Sequence, residues 1–205
     1  MLTLFFPAKQ VIRDNRSWLI LATAIFMICA VAFYLGTAYS ETVDDQALDS
    51  QLGMLQELFA FLIETKPLVS ALLVFMNNFL SMAQMLLLGV LAGISPLFTL
   101  GINGALVGVL LSLSVQEGLP LLPLIVLGIM PHGIFELFAF FVCGAIGLKF
   151  GYHCVASPLP GINRLESFRY IWKEAISILP LVVTLLILSA FIEMFITPRL
   201  FQLLQ

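Results

Sequence analysis

The sequence predicts an all-α, polytopic transmembrane helical bundle of about five spanning helices, and three observations carry that prediction. Apolar residues make up 61% of the chain and charged residues only 10%, where a soluble domain runs near a quarter charged. Mean hydropathy is +1.09 over 205 residues, which leaves no stretch for a separate soluble domain and makes residues 1–205 a single integral membrane domain. The apolar runs are about 20 residues long rather than about 10 residues of alternating character. Backbone groups in lipid must be satisfied internally, so runs of that length are helices rather than barrel strands.

The first span is expected at about 17–39, with Trp18 at one interface and Tyr34 and Tyr39 near the other. Lys9, Arg13 and Arg16 precede it as in a secretory signal, but the run exceeds the roughly 7–15 residues of a signal core, so it reads as a retained helix. An acidic stretch follows. Over about 44–65, Leu48, Leu52, Leu55, Phe59 and Leu62 recur at steps of four and three, the pattern of an outer amphipathic helix too charged to span.

Span two is expected at about 68–92, closed by a turn at Gly93–Pro96, and span three at about 97–115, closed at Gln116–Gly118. Span four covers about 120–150 and is interrupted from Gly128 to Pro131, where proline removes a backbone donor. Pro158 and Pro160 mark a loop, and Asn163 with Glu166 forms a capping pair for a short cytoplasmic interfacial helix. Span five is expected at about 174–197.

Orientation follows from lysine and arginine. With the amino terminus inside, Lys9, Arg13, Arg16, Lys149, Arg164, Arg169 and Lys173 are cytoplasmic and only Lys66 and Arg199 lie outside. That asymmetry selects five spans in the cell membrane, with the amino terminus cytoplasmic and the carboxyl terminus extracytoplasmic. The net charge of −3 argues against nucleic acid as a partner; the lipid bilayer is the certain one. Cys29, Cys143 and Cys154 form no CxxC motif or disulfide framework and read as small apolar residues.

Eleven of the fourteen glycines lie between Gly89 and Gly151, and Gly89/Gly93, Gly104/Gly108 and Gly147/Gly151 each have the four-residue spacing that lets helices approach closely. The expectation is a tight core of spans two to four, with spans one and five more peripheral. The same pairs permit a homodimer without requiring one.

Seven polar residues in the spans need an account: Asn77, Asn78, Gln84, Asn103, His132, Glu136 and Glu193. An ionisable group near mid-bilayer costs about 2.5–3.5 kcal/mol on insertion scales, so it needs a partner or a task. His132 and Glu136 are four apart and share a helix face beside Pro131. Counting from Leu119 puts His132 near the bilayer centre, Asn103 at a comparable level, and Glu193 near the outer interface, apart from the other two unless span five bends. Three readings stay open: a hydrogen-bonded knot that fixes packing, an ion or proton site, and a metal site with His132, Glu136 and Glu193 as candidate ligands. HExxH, GxSxG and P-loop patterns are absent, which disfavours hydrolytic and ATP-dependent chemistry. No cofactor is expected beyond that candidate metal ion.

Pro131-His132-Gly133-Ile134-Phe135-Glu136, followed by Gly144 and Gly147, resembles the signature of the stage II sporulation protein M family. So do Asn78 ahead of Gly89, Gly93 and Pro96, the Asn103-Gly104 pair, and the closing stretch from Ile192 to Pro198, so the resemblance covers about 75–198. It implies an integral membrane protein with Asn78, Asn103, His132, Glu136 and Glu193 as a shared polar core. In endospore formers it implies a component that organises peptidoglycan-degrading partners during engulfment. The expected function is therefore a non-enzymatic membrane scaffold or assembly partner with membrane or extracytoplasmic protein partners, contacted through about 44–65 and 152–173. The alternatives are a channel or transporter using the mid-membrane His/Glu/Asn set and, behind it, an intramembrane metal-dependent hydrolase.

Overall fold

The structure, a computed structural model, describes residues 6–39 and 66–201; the expected amphipathic helix over about 44–65 lies outside the described residues. Among the described residues every regular element is helical. In chain order these are α1 (Ala8–Asp14), α2 (Arg16–Tyr39), α3 (Pro67–Leu88), α4 (Ile94–Gln116), a single turn (Leu121–Pro123) leading into a π-helical segment (Leu124–Ile129), α5 (Met130–Val155), α6 (Arg164–Phe195) and α7 (Thr197–Phe201). Five stretches are long and apolar enough to cross a bilayer: 16–39, 67–88, 94–116, 121–155 and 164–195. The protein is a multi-pass membrane protein.

Helix α5 is the axis of the bundle, with α2, α3, α4 and α6 all packed against it. Its buried face includes Ala139, Cys143, Ile146 and Phe150. Side chains pointing away from the bundle are apolar and open, as at Ile28 (67%), Leu80 (63%) and Ile187 (57%), the reverse of a soluble helix and the form that lipid contact demands.

The most extensive pairings are α2 with α4 and α5 with α6, so spans one and five are not peripheral as the glycine positions suggested. Glycine spacing announces close approach but not the partner. A Cβ at Gly104 or Gly108 would collide with the α2 carbonyls of Phe26 and Ala30, so that pair seats span one. Gly89 lies against Gly147, where a Cβ would come within 2.7 Å of the Gly147 carbonyl oxygen, and Gly93 lies against Gly151. All three pairs are used inside the chain.

Two boundaries differ from expectation. The turn after span two falls at residues 89–93, because Gly93 takes a left-handed φ of 71° and starts α4, while Pro96 is tolerated in the first turn, where its missing N–H is not needed. The capping pair is real, with Glu166 N–H bonded to Asn163 Oδ1 and Asn163 N–H to Glu166, each at 2.9 Å. It opens no short interfacial helix, however. Residues 165–179 contain neither glycine nor proline, so the helix runs on without a break into span five as the 32 residues of α6.

Candidate functional site

Two polar assemblies sit on the α5–α6 pair. The first is at the end where α5 begins. His132 and Glu136 occupy one face of α5, four residues apart, and meet a face of α6 and α7 on which Ser189, Glu193 and Thr197 are also spaced by four. One ring nitrogen of His132 and one carboxylate oxygen each of Glu136 and Glu193 lie within 4.8 Å of one another, and all three residues are half-buried. Glu193 therefore joins the other two, contrary to straight-helix counting.

The reason lies in the route into α5. Residues 121–129 do not enter as a regular α-helix. Pro131 supplies no N–H to the preceding turn, and the chain widens into the π-helical segment Leu124–Ile129. That segment packs on α7, so it belongs to the end of the bundle rather than to its mid-section. His132 then lies seventeen residues from Lys149, about 25 Å at 1.5 Å per residue. Lys149 stands at the basic end of the bundle, so His132 lies toward the opposite end.

His132 and Glu136 are each held by neighbours. His132 Nδ1 is 3.2 Å from Thr197 Oγ1, and the Thr197 hydroxyl donates to the Ile192 carbonyl at 3.3 Å. Thr197 Oγ1 thus ties the His132 ring to the start of α7, and the histidine tautomer sets which of the two atoms donates. The fully buried Ser189 hydroxyl is 3.1 Å from the His132 carbonyl and 3.3 Å from Glu136 Oε2. The Asn78 side chain, on α3, faces the Glu136 carboxylate.

The remaining expected residues lie elsewhere. Asn103 donates to the Thr99 carbonyl of its own helix at 2.8 Å, on the α4 that pairs with α2, and it makes no bond to His132, Glu136 or Glu193. Asn77 is exposed and 3.4 Å from Asn78, and Gln84 is exposed. Ser189 and Thr197 escaped the sequence reading because hydroxyl residues commonly satisfy themselves on their own backbone. The stripe 189–193–197 was the available signal.

The second assembly is at the basic end. Lys149 Nζ and Glu174 Oε2 form an ion pair at 2.6 Å with both side chains buried, and Asn15, just ahead of α2, donates to the other Glu174 oxygen at 2.9 Å. Lys149 also stands 5.5 Å from the Tyr170 ring centre. Lys149 is thus an internal charge rather than the loop cation that the orientation count made of it. A lysine inside the glycine-rich run from Gly144 to Gly151 was the missed signal, since glycines mark close helix packing on both sides of it.

Comparison with known proteins adds three findings. The family model described as stage II sporulation protein M matches residues 21–198. An uncharacterized protein of Methanocaldococcus jannaschii is 32% identical over 123 residues, covering 60% of this chain and 68% of the archaeal one. No solved structure gives a significant match.

Proposed function

The chain belongs to the stage II sporulation protein M family, and from that premise we propose that it is a non-enzymatic membrane scaffold that assembles a protein partner at its basic, cytoplasmic end. The observation that carries the reading is the length of the α5–α6 hairpin. Helix α6 has 32 residues, about 48 Å, against a hydrocarbon layer of roughly 30 Å. The excess lies beyond the level of Lys149 and Glu174, where α5 continues to Val155 and α6 starts at Arg164.

That projecting tip is held rigidly. Arg164 donates to the Cys154 carbonyl at 2.9 Å, Leu159 N–H to Ser167 Oγ at 2.8 Å, and the capping box fixes the start of α6. Yet it leaves Val155 (61%) and Leu165 (59%) open. Apolar side chains on an ordered element outside the lipid are what a docking surface requires. A partner on the other side of the membrane would meet the segment at about 44–65, outside the described residues.

Site-specific photo-crosslinking in intact cells tests this, with the reactive residue placed at 155 or 165 and at lipid-facing Ile187 as control. A discrete protein adduct at 155 and 165 and none at 187 supports the scaffold reading. Identical behaviour at all three positions refutes it for this surface.

A second reading, passage of an ion or small solute beside His132 and Glu136, is favoured by the π-helical break next to them, since interrupted helices often line membrane substrate sites. A proteoliposome flux assay over a panel of cations and protons, repeated with Glu136→Gln, decides it.

A further inference from the structure

We propose that His132, Glu136 and Glu193 form a binding site for one divalent transition-metal cation, independent of the docking surface at the other end of the bundle. Two carboxylates and one imidazole converge from two helices, with ligand atoms inside 4.8 Å. Among the described residues, neither Glu136 nor Glu193 forms an ion pair with a lysine or arginine. Two carboxylates close together in a lipid-flanked site repel each other, and a divalent ion cancels their summed charge. One ion at about 2.0–2.2 Å from each ligand would draw these atoms closer together.

The surroundings are those of a ligand set rather than of a packing knot. Metal-binding histidines commonly donate their other ring N–H to a fixed acceptor, and ligating carboxylates are themselves hydrogen-bonded. Here Thr197 Oγ1 is hydrogen-bonded to His132 Nδ1 at 3.2 Å, while the Ser189 hydroxyl stands 3.3 Å from Glu136 Oε2. One imidazole with two carboxylates favours Mn²⁺, Fe²⁺ or Zn²⁺ over Ca²⁺, which prefers an all-oxygen shell.

The test uses the full chain in lipid nanodiscs, stripped with chelator and titrated with Mn²⁺ while free Mn²⁺ is followed by electron paramagnetic resonance. The expected result is one tight ion per chain, with affinity falling at least 100-fold in Glu193→Gln and in Glu136→Gln and unchanged in His153→Gln. The chain has two histidines, His132 and His153, so any histidine-nitrogen coupling to Mn²⁺ in His153→Gln comes from His132. That readout stays decisive even if a glutamate variant misfolds. Wild type binding no Mn²⁺, or the folded Glu193→Gln binding it as tightly as wild type, overturns the proposal. So does an absence of nitrogen coupling in His153→Gln.

Discussion

Lys149 and Glu174 close a 2.6 Å ion pair between α5 and α6, with the side chains 7% and 2% exposed, at the level where the sequence places the membrane boundary. Removing one member of such a pair strands a charge, whereas removing both does not. Lys149→Met and Glu174→Gln are each expected to cost about 3–5 kcal/mol. The double variant Lys149→Met/Glu174→Gln is expected to cost much less than their sum. Denaturant unfolding in a mixed micelle across the four proteins measures the coupling; additive losses would mean the pair contributes nothing as a pair.

Glycine substitutions should divide by location. A Cβ at Gly104 would strike the Phe26 carbonyl, while one at Gly36 meets nothing within 4 Å among the described residues. Gly104→Ala is expected to lose about 1–3 kcal/mol from overpacking between α2 and α4. Gly36→Ala is expected to gain about 0.5–1 kcal/mol from helix propensity. Thermal melts of the two variants check both signs.

Removing Lys149 from the orientation count leaves Lys9, Arg13, Arg16, Arg164, Arg169 and Lys173 against Lys66 and Arg199, six to two, so the sequence still leads to the expectation of a cytoplasmic amino terminus. In a cysteine-free background, Pro160→Cys is expected to react with a membrane-impermeant maleimide only after the cells are opened. Gly118→Cys is expected to react in intact cells. The opposite pattern would invert the molecule and move the docking surface outside.

Thr197 should act on the His132 site without touching a bound ion. Thr197→Val removes the hydrogen-bond partner of His132 Nδ1 and is expected to weaken Mn²⁺ binding about 10–100-fold. Thr197→Ser restores the hydroxyl and is expected to recover most of it. Equal affinity in Val and Ser variants would show that ring orientation is set by packing alone.

Legibility differed sharply between the fold and the site. The spans could be read because each is a local property: about twenty apolar residues, ended by Lys66-Pro67, by the glycine turn before Ile94, or by the Asn163/Glu166 cap. His132 and Glu136 could be read as a pair because four residues on one helix share a face. Glu193 could not be joined to them, because its distance from His132 depends on where α5 truly begins, and the π-helical turn ahead of Pro131 moves that point. Asn103 carried the same sequence signal as Glu193 but satisfies itself on Thr99.

By itself the sequence determined an all-helical membrane bundle with five spans, its basic end, and the short set of polar residues that lipid would not tolerate without a partner. The tertiary structure decided who the partners are: span one on Gly104 and Gly108, Lys149 on Glu174, and Glu193 on His132 and Glu136. The division has a physical cause. Helix formation in lipid is dictated by the backbone's own hydrogen bonds and by hydropathy over some twenty residues. The choice among helices rests on close packing and a few hydrogen bonds between apolar surfaces that the lipid solvates equally well, and those depend on atoms far apart in the chain.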